Sequence, residues 1–231
     1  MLKDLINYLP SIHKEGFLFI GIFVVVSAAL FFVSNTFGTI GVVLTIWCVC
    51  FFRDPVRTTP LLENAVISPA DGLVENIVQV VPPVEFGMGE KEVFRVSTFL
   101  SVFDVHVNRI PITGVVKHLH YHPGKFLSAT LDKASDLNER QSISIETASG
   151  TKVAVVQIAG LIARRIVCQL DENQSVKAGE RFGIIRFGSR VDVYLPHGVE
   201  PKVYLGQKMI GGETVMADLS GIQIRIAGEV R

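Results

Sequence analysis

The chain has 231 residues, with 22 basic and 22 acidic side chains, so it carries no global electrostatic pull on nucleic acid. Hydrophobic residues make up 48% and mean hydropathy is +0.41, high for a soluble protein, with the excess concentrated at the N-terminus. The three cysteines, Cys48, Cys50 and Cys168, fit neither a zinc spacing nor a disulfide framework, and a reducing compartment suits the chain.

Residues 1–60 read as a membrane anchor and linker, and residues 61–231 as one principal domain. From Gly16 to Phe52 there is no Asp, Glu, Lys, Arg or His. Gly16–Val33 supplies 18 nearly pure apolar residues, enough to cross a bilayer. Ser34-Asn35-Thr36-Phe37-Gly38 interrupts the block, and Thr39–Phe52 continues it for 14 more. Lys3 and Lys14 precede it, and Arg53 and Arg57 follow. Basic residues on both flanks favour a transmembrane helical hairpin turning near Asn35, with both ends and the main domain on the cytoplasmic side of the cell membrane. A single span is the rival. A cleaved signal peptide fits poorly, because the block is too long for its apolar core. Arg53-Asp54-Pro55 then ends the helix and opens a polar linker.

Beyond Leu61 the chain is mainly β, with short Val- and Ile-rich segments separated by Gly, Pro and Asp turns. Strands are expected at Ala65–Ser68, Leu73–Val81, Val93–Phe99, Gly114–Tyr121, Ser142–Thr147, Lys152–Gln157, Ile162–Cys168, Phe182–Phe187, Val191–Leu195 and Ile222–Ala227. Only Ser128–Arg140 reads as helical or irregular. Two echoes occur: Pro69–Val74 with Pro111–Val116, and Val176–Glu180 with Tyr204–Lys208. They suit a sandwich or barrel with lipoyl-like pseudo-repeats.

Taken in order, the candidate residues each have a plain structural reading. Asp71-Gly72 is a turn pair. Asp104, His106 and Asn108 would form a polar row on one strand face, though a lone strand histidine is usually structural. His118, His120 and His122 alternate on one strand, yet no Cys, Asp or Glu completes a ligand set nearby in sequence, so no metal is expected. Asp132-Lys133-Ala134 matches the surroundings of a lipoyl-bearing lysine, and a membrane-tethered lipoyl- or biotinyl-like carrier is the non-enzymatic alternative. The polar residues after Lys133 do not suit the hairpin such a lysine needs. Arg109, Lys125, Arg164 and Arg165 could meet an anionic headgroup, since the arginine fork matches phosphate or carboxylate. A solvated charged edge is the plainer account of them. Gly188-Ser189, between Gly183-Ile184-Ile185 and Val191–Leu195, is on its own a common turn pair joining two strands.

In order and spacing, the Asp71 turn, the His106 strand, the Tyr121–Phe126 turn, Asn138-Glu139-Arg140, Phe187-Gly188-Ser189-Arg190 and the C-terminal Gly206–Ala217 run together resemble the phosphatidylserine decarboxylase proenzymes in their short form. The resemblance implies self-cleavage at Gly188-Ser189 into a β chain (residues 1–188) and an α chain (189–231) that stay together as a heterodimer, open to pairing as a dimer of heterodimers. It implies that Ser189 becomes a covalent pyruvoyl group, the cofactor of a carboxy-lyase. That group would form a Schiff base with membrane phosphatidylserine and release CO2 to give phosphatidylethanolamine. A pyruvoyl decarboxylase of another amino-acid derivative is the nearest enzymatic alternative. It implies Ser189, His106 and Asp71 as the catalytic set, and C-terminal strands that hold the new N-terminus. The match departs from the longer bacterial branch at Arg109, where that branch has a second histidine.

Overall fold

The computed structural model describes residues 10–124, 138–160, 165–186 and 189–220, with Ser189 described by its backbone alone. The expected strand at Ile222–Ala227 and most of Ser128–Arg140 lie outside the described residues, as does Lys133.

The chain opens with β1 (Ser11–Ile12), helix α1 (Phe17–Phe31), helix α2 (Asn35–Phe51) and β2 (Arg53–Asp54). Helix α1 is apolar all round and exposes Phe17, Leu18 and Val25, as suits a helix facing lipid rather than a protein core. The stretch Lys14–Phe31 is long and apolar enough to cross a membrane, while α2 is shorter, at 17 residues. Ser34 stops the first helix and starts the second, its hydroxyl accepting from the Thr36 N–H at 3.2 Å. The two helices approach closely where residues are small. A Cβ at Gly41 would sit 2.7 Å from Ser27 Oγ, and Ser27 Oγ lies 3.0 Å from Thr45 Oγ1. Ser11 pairs with Asp54 and Ile12 with Arg53. The two ends of the helical pair therefore meet.

The rest is β, as the short alternating segments require. In chain order come β3 (Ala65–Ile67), β4 (Gly72–Val80), β5 (Val93–Leu100), β6 (Val107–Arg109), β7 (Gly114–His122), β8 (Arg140–Glu146), β9 (Lys152–Ala159), β10 (Ile166–Cys168), β11 (Ser175–Val176), β12 (Arg181–Ile185), β13 (Ser189–Tyr194), β14 (Lys208–Met209) and β15 (Val215–Asp218). Eight form one antiparallel sheet in the order β11-β7-β8-β9-β13-β5-β4-β14, and a second sheet runs β10-β12-β6. Leu100, Val155, Val191, Val193 and Phe182 share one buried core. A second cluster joins Cys48, Phe51 and Phe52 at the end of the hairpin to Val105, Val107 and Ile184, so the anchor is packed onto the β domain.

A two-residue strand pairs at each edge of the large sheet. Val176 pairs with Gly114 at the start of β7, and Met209 pairs with Gly72 at the start of β4. At both glycines a Cβ would strike a neighbouring carbonyl, Phe99 O at 2.2 Å and Glu146 O at 2.3 Å. Close backbone approach explains both glycines.

Candidate active site

The strands on either side of Gly188 belong to different sheets: β12 pairs with β10 and β6, while β13 lies between β5 and β9. β12 and β13 therefore do not pair with each other as the hairpin that a Gly-Ser turn suggests. Gly188 itself lies outside the described residues. The main chain of Ser189 pairs with Leu100 on one side and Ala159 on the other. Behind it Arg190 and Asp192, both buried, form a bidentate pair with two 2.8 Å hydrogen bonds.

Residues 100–106 cross the same gap between sheets. Leu100 is opposite Ser189, and the Ile185 N–H donates to the His106 carbonyl at 3.3 Å. The loop 101–105 therefore joins the partner of Ser189 to the partner of Ile185. Asp104 is not in a strand, contrary to the polar row expected. Its Oδ2 accepts from the Ser101 N–H at 2.9 Å and from the Ser101 hydroxyl at 2.7 Å, closing a local turn. Strand β6 starts only at Val107. Asn108, fully buried, instead accepts from Gln157 Nε2 at 2.7 Å.

His106 is fully buried. Its Nδ1 lies 3.0 Å from the Asp104 carbonyl, and its ring centroid is 4.2 Å from that of Phe51. Burial lowers its pKa to about 4, against the opposing pull of the Asp104 carbonyl and carboxylate. The imidazole is neutral at neutral pH. A carbonyl can only accept, so Nδ1 carries the proton and Nε2 the basic lone pair.

Asp71 meets Arg57 from the linker, Nη2 to Oδ2 at 2.7 Å, and accepts from the Gly211 N–H at 2.7 Å. Burial lifts its carboxyl above the usual value in spite of both partners. Asp104 and Arg53 act electrostatically on Asp71 and His106 alike. The C-terminal Gly206–Ala217 run does not flank β13: β14 pairs with β4 and β15 with β3. It reaches this region through the Gly211 N–H on Asp71 and through Lys208 Nζ, 3.8 Å from Asp104 Oδ1.

Of the basic candidates, Arg109 is buried and clamps the linker, donating to Gly179 O at 2.9 Å and Pro55 O at 2.8 Å. Arg165 is exposed, and its carbonyl accepts from the Arg186 N–H at 3.2 Å. Lys125 and Arg164 lie outside the described residues. Two residues of the site went unassigned in the sequence. Asn138 is buried and donates to Ala159 O at 2.8 Å, supporting the residue paired with Ser189. Phe51 covers His106 from the end of α2. Asn138 stands in a motif visible in the sequence; Phe51 looks like any other apolar residue of its span.

The profile of a family described as phosphatidylserine decarboxylase matches residues 44–217. The chain is 55% identical over 225 residues to the phosphatidylserine decarboxylase proenzyme of Cereibacter sphaeroides, covering 97% of each chain. It is 56% identical over 213 residues to that of Ruegeria pomeroyi, covering 92% of this chain and 97% of the relative. It is also 56% identical over 217 residues to that of Rickettsia africae, covering 94% of each.

Proposed function

We propose that this chain, which belongs to the phosphatidylserine decarboxylase family, is made as a proenzyme, cuts itself at Gly188-Ser189 and then decarboxylates phosphatidylserine to phosphatidylethanolamine. The observation that carries the reading is the position of Ser189. Its main chain is gripped on both sides in the middle of the large sheet, while Ile185, at the end of β12, belongs to the other sheet and donates to the His106 carbonyl.

The Ser189 hydroxyl attacks the Gly188 carbonyl and gives its proton to His106 Nε2. The amide becomes an ester. Elimination expels the Gly188 carboxylate, leaving dehydroalanine at position 189, whose hydrolysis releases ammonia and leaves a pyruvoyl cap. Such a cap supplies an electron sink for loss of CO2 from an amino acid bound through its amine.

A buried, neutral His106 suits proton transfer in both directions, first from Ser189 and later to the substrate α-carbon. Asp71 is the acid of the set, and its charge is held near the site by Arg57 and Gly211. Arg165, with Lys125 and Arg164, is assigned to the anionic headgroup; Arg109 is assigned to holding the linker. On this reading the apolar N-terminal helices anchor the domain at the membrane that contains the lipid, and the basic flanks support a cytoplasmic location for it.

The intact mass of the purified full-length protein, with and without a carbonyl-trapping amine, tests the reading. Two fragments split at Gly188-Ser189, with only the smaller one labelled, are expected. Ser189→Ala should stay one chain without activity on phosphatidylserine vesicles. Cleavage of that variant would end the proposal.

A further inference from the structure

Between β4 and β5 a short 3-10 turn, Val84–Phe86, lies over the outer face of the large sheet. Phe86 pins it there. Its ring is buried and meets Tyr194 edge to face at 5.0 Å, and its carbonyl accepts from Ser144 Oγ at 3.0 Å. Gly87 ends the turn with φ 60°, in the left-handed region. The result holds Glu85 above β7, far from it in sequence, against two histidines that strand alternation sends to the same face.

His122 Nε2 lies 3.2 and 3.1 Å from the two Glu85 carboxylate oxygens. The rings of His120 and His122 are 4.2 Å apart. One donor atom from each of the three residues lies within 4.8 Å of the others. The carboxylate that sequence proximity could not supply is provided by the fold. His120 is exposed and the other two are half-buried, which leaves an entry path.

We propose that Glu85, His120 and His122 bind one divalent transition-metal ion, zinc being the favoured occupant. Two imidazoles and one carboxylate suit zinc and its first-row neighbours and disfavour calcium or magnesium, which take oxygen ligands. The remaining positions are open to water. A simple His-Glu ion pair would not require the second imidazole. The site is separate from the Gly-Ser crossing: His122, Arg140, Ile158 and Arg190 stand in one row across the sheet, three strands or about 15 Å apart by strand spacing. Its effect is to fasten the β4–β5 connection to β7.

The test uses full-length protein without a polyhistidine tag, stripped with chelator. Zn2+ is titrated by calorimetry and Co2+ by visible absorption. One ion per chain is expected, with a rise in melting temperature on adding Zn2+. His120→Ala and Glu85→Gln should each weaken binding by roughly 10-fold or more, a loss at least as large as that from removing outer-shell support. His197→Ala, at a histidine bonded instead to Glu92 O, should bind as the parent does. Absence of saturable binding by the parent would overturn the proposal. So would equal binding by His120→Ala and Glu85→Gln, or binding lost only on changing Cys50 to Ser.

Discussion

The ring of Phe51, the last residue of α2, lies 4.2 Å from the imidazole of His106, tilted by 34°. Helix α2 thus forms one wall of the space around His106, the proposed general base. The same burial that excludes water there holds His106 neutral. Anchor and chemistry are one packed unit, joined through Cys48, Phe51 and Phe52 against Val105, Val107 and Ile184.

Phe51→Ala should therefore damage chemistry as well as stability. Removing a buried aromatic ring costs about 3–5 kcal/mol, and rehydration of the imidazole should move its pKa back toward 6.5. The self-cleavage rate of freshly refolded proenzyme, followed against pH by gel, should fall with an apparent pKa near 4 in the parent and nearer 6 in the variant. Phe51→Leu should restore most of the parent profile. Identical pH profiles for the parent and Phe51→Ala would separate the helix from the base.

His106 also sets a pH dependence of stability. Its folded pKa, about 4, lies below its unfolded value of 6.5. The unfolded chain therefore binds a proton between these values while the native chain does not. Stability is complete above pH 6.5, is lost as pH falls from 6.5 to 4, and levels off below 4. The loss from this one group is about 3 kcal/mol. Denaturant midpoints of Ser189→Ala, measured at pH 7, 5.5 and 4, should fall more steeply than those of Ser189→Ala with His106→Asn. Parallel slopes would mean that His106 is not held neutral.

The sequence discloses those parts of the fold that rest on local rules. Strand alternation and turn residues place β3, β4, β5, β7, β8 and β9 within a few residues of their observed bounds. The polar Ser34–Gly38 break locates the hairpin turn. The very short strands, such as β11 and β14, have no periodicity to detect. Asp104 was expected on a strand because alternation ignores side chains that capture nearby N–H groups, as Asp104 does with Ser101. Glu85 escaped because a ligand set assembled across a sheet leaves no spacing in the sequence. Ser189 was visible through its Gly-Ser motif, whereas its crossing between two sheets is a property of topology alone.

Arg57 and Asp71 couple the linker to the site through a 2.7 Å pair that is largely buried. Arg57→Met would leave the Asp71 carboxylate with the Gly211 N–H but without its cation. A lost hydrogen bond to a charged group costs about 1.5–3 kcal/mol, and the Asp71 pKa, already raised by burial, should rise further. The variant should process slowly at pH 6 and recover as pH increases, because the carboxylate returns at higher pH. Fragment ratios after fixed times at pH 6 and 8 measure this, and a rate equally reduced at both would assign Arg57 to the fold alone.

Asn138→Ala removes the buried amide that donates to Ala159 O, on the strand beside Ser189. An unsatisfied buried carbonyl costs about 1–3 kcal/mol, and the looser end of β9 should slow cleavage. Melting temperature and cleavage rate should fall together in Asn138→Ala, while Asn138→Asp, which cannot donate when ionised, should be no better. An unchanged cleavage rate in a destabilised Asn138→Ala would confine the residue to folding.

The fragments made by cleavage should remain together without a covalent link. Each described strand after the cut pairs with strands before it: β13 with β5 and β9, β14 with β4, and β15 with β3. None pairs with another of the three, so the small fragment has no described sheet of its own. It should co-elute with the large fragment in detergent and separate only in denaturant. Unfolding then becomes a dissociation, and mass action makes its midpoint depend on protein concentration. The midpoint for cleaved protein should rise as concentration increases 100-fold, while uncleaved Ser189→Ala should show no such change. A concentration-independent midpoint for the cleaved form would show that the small fragment holds structure by itself.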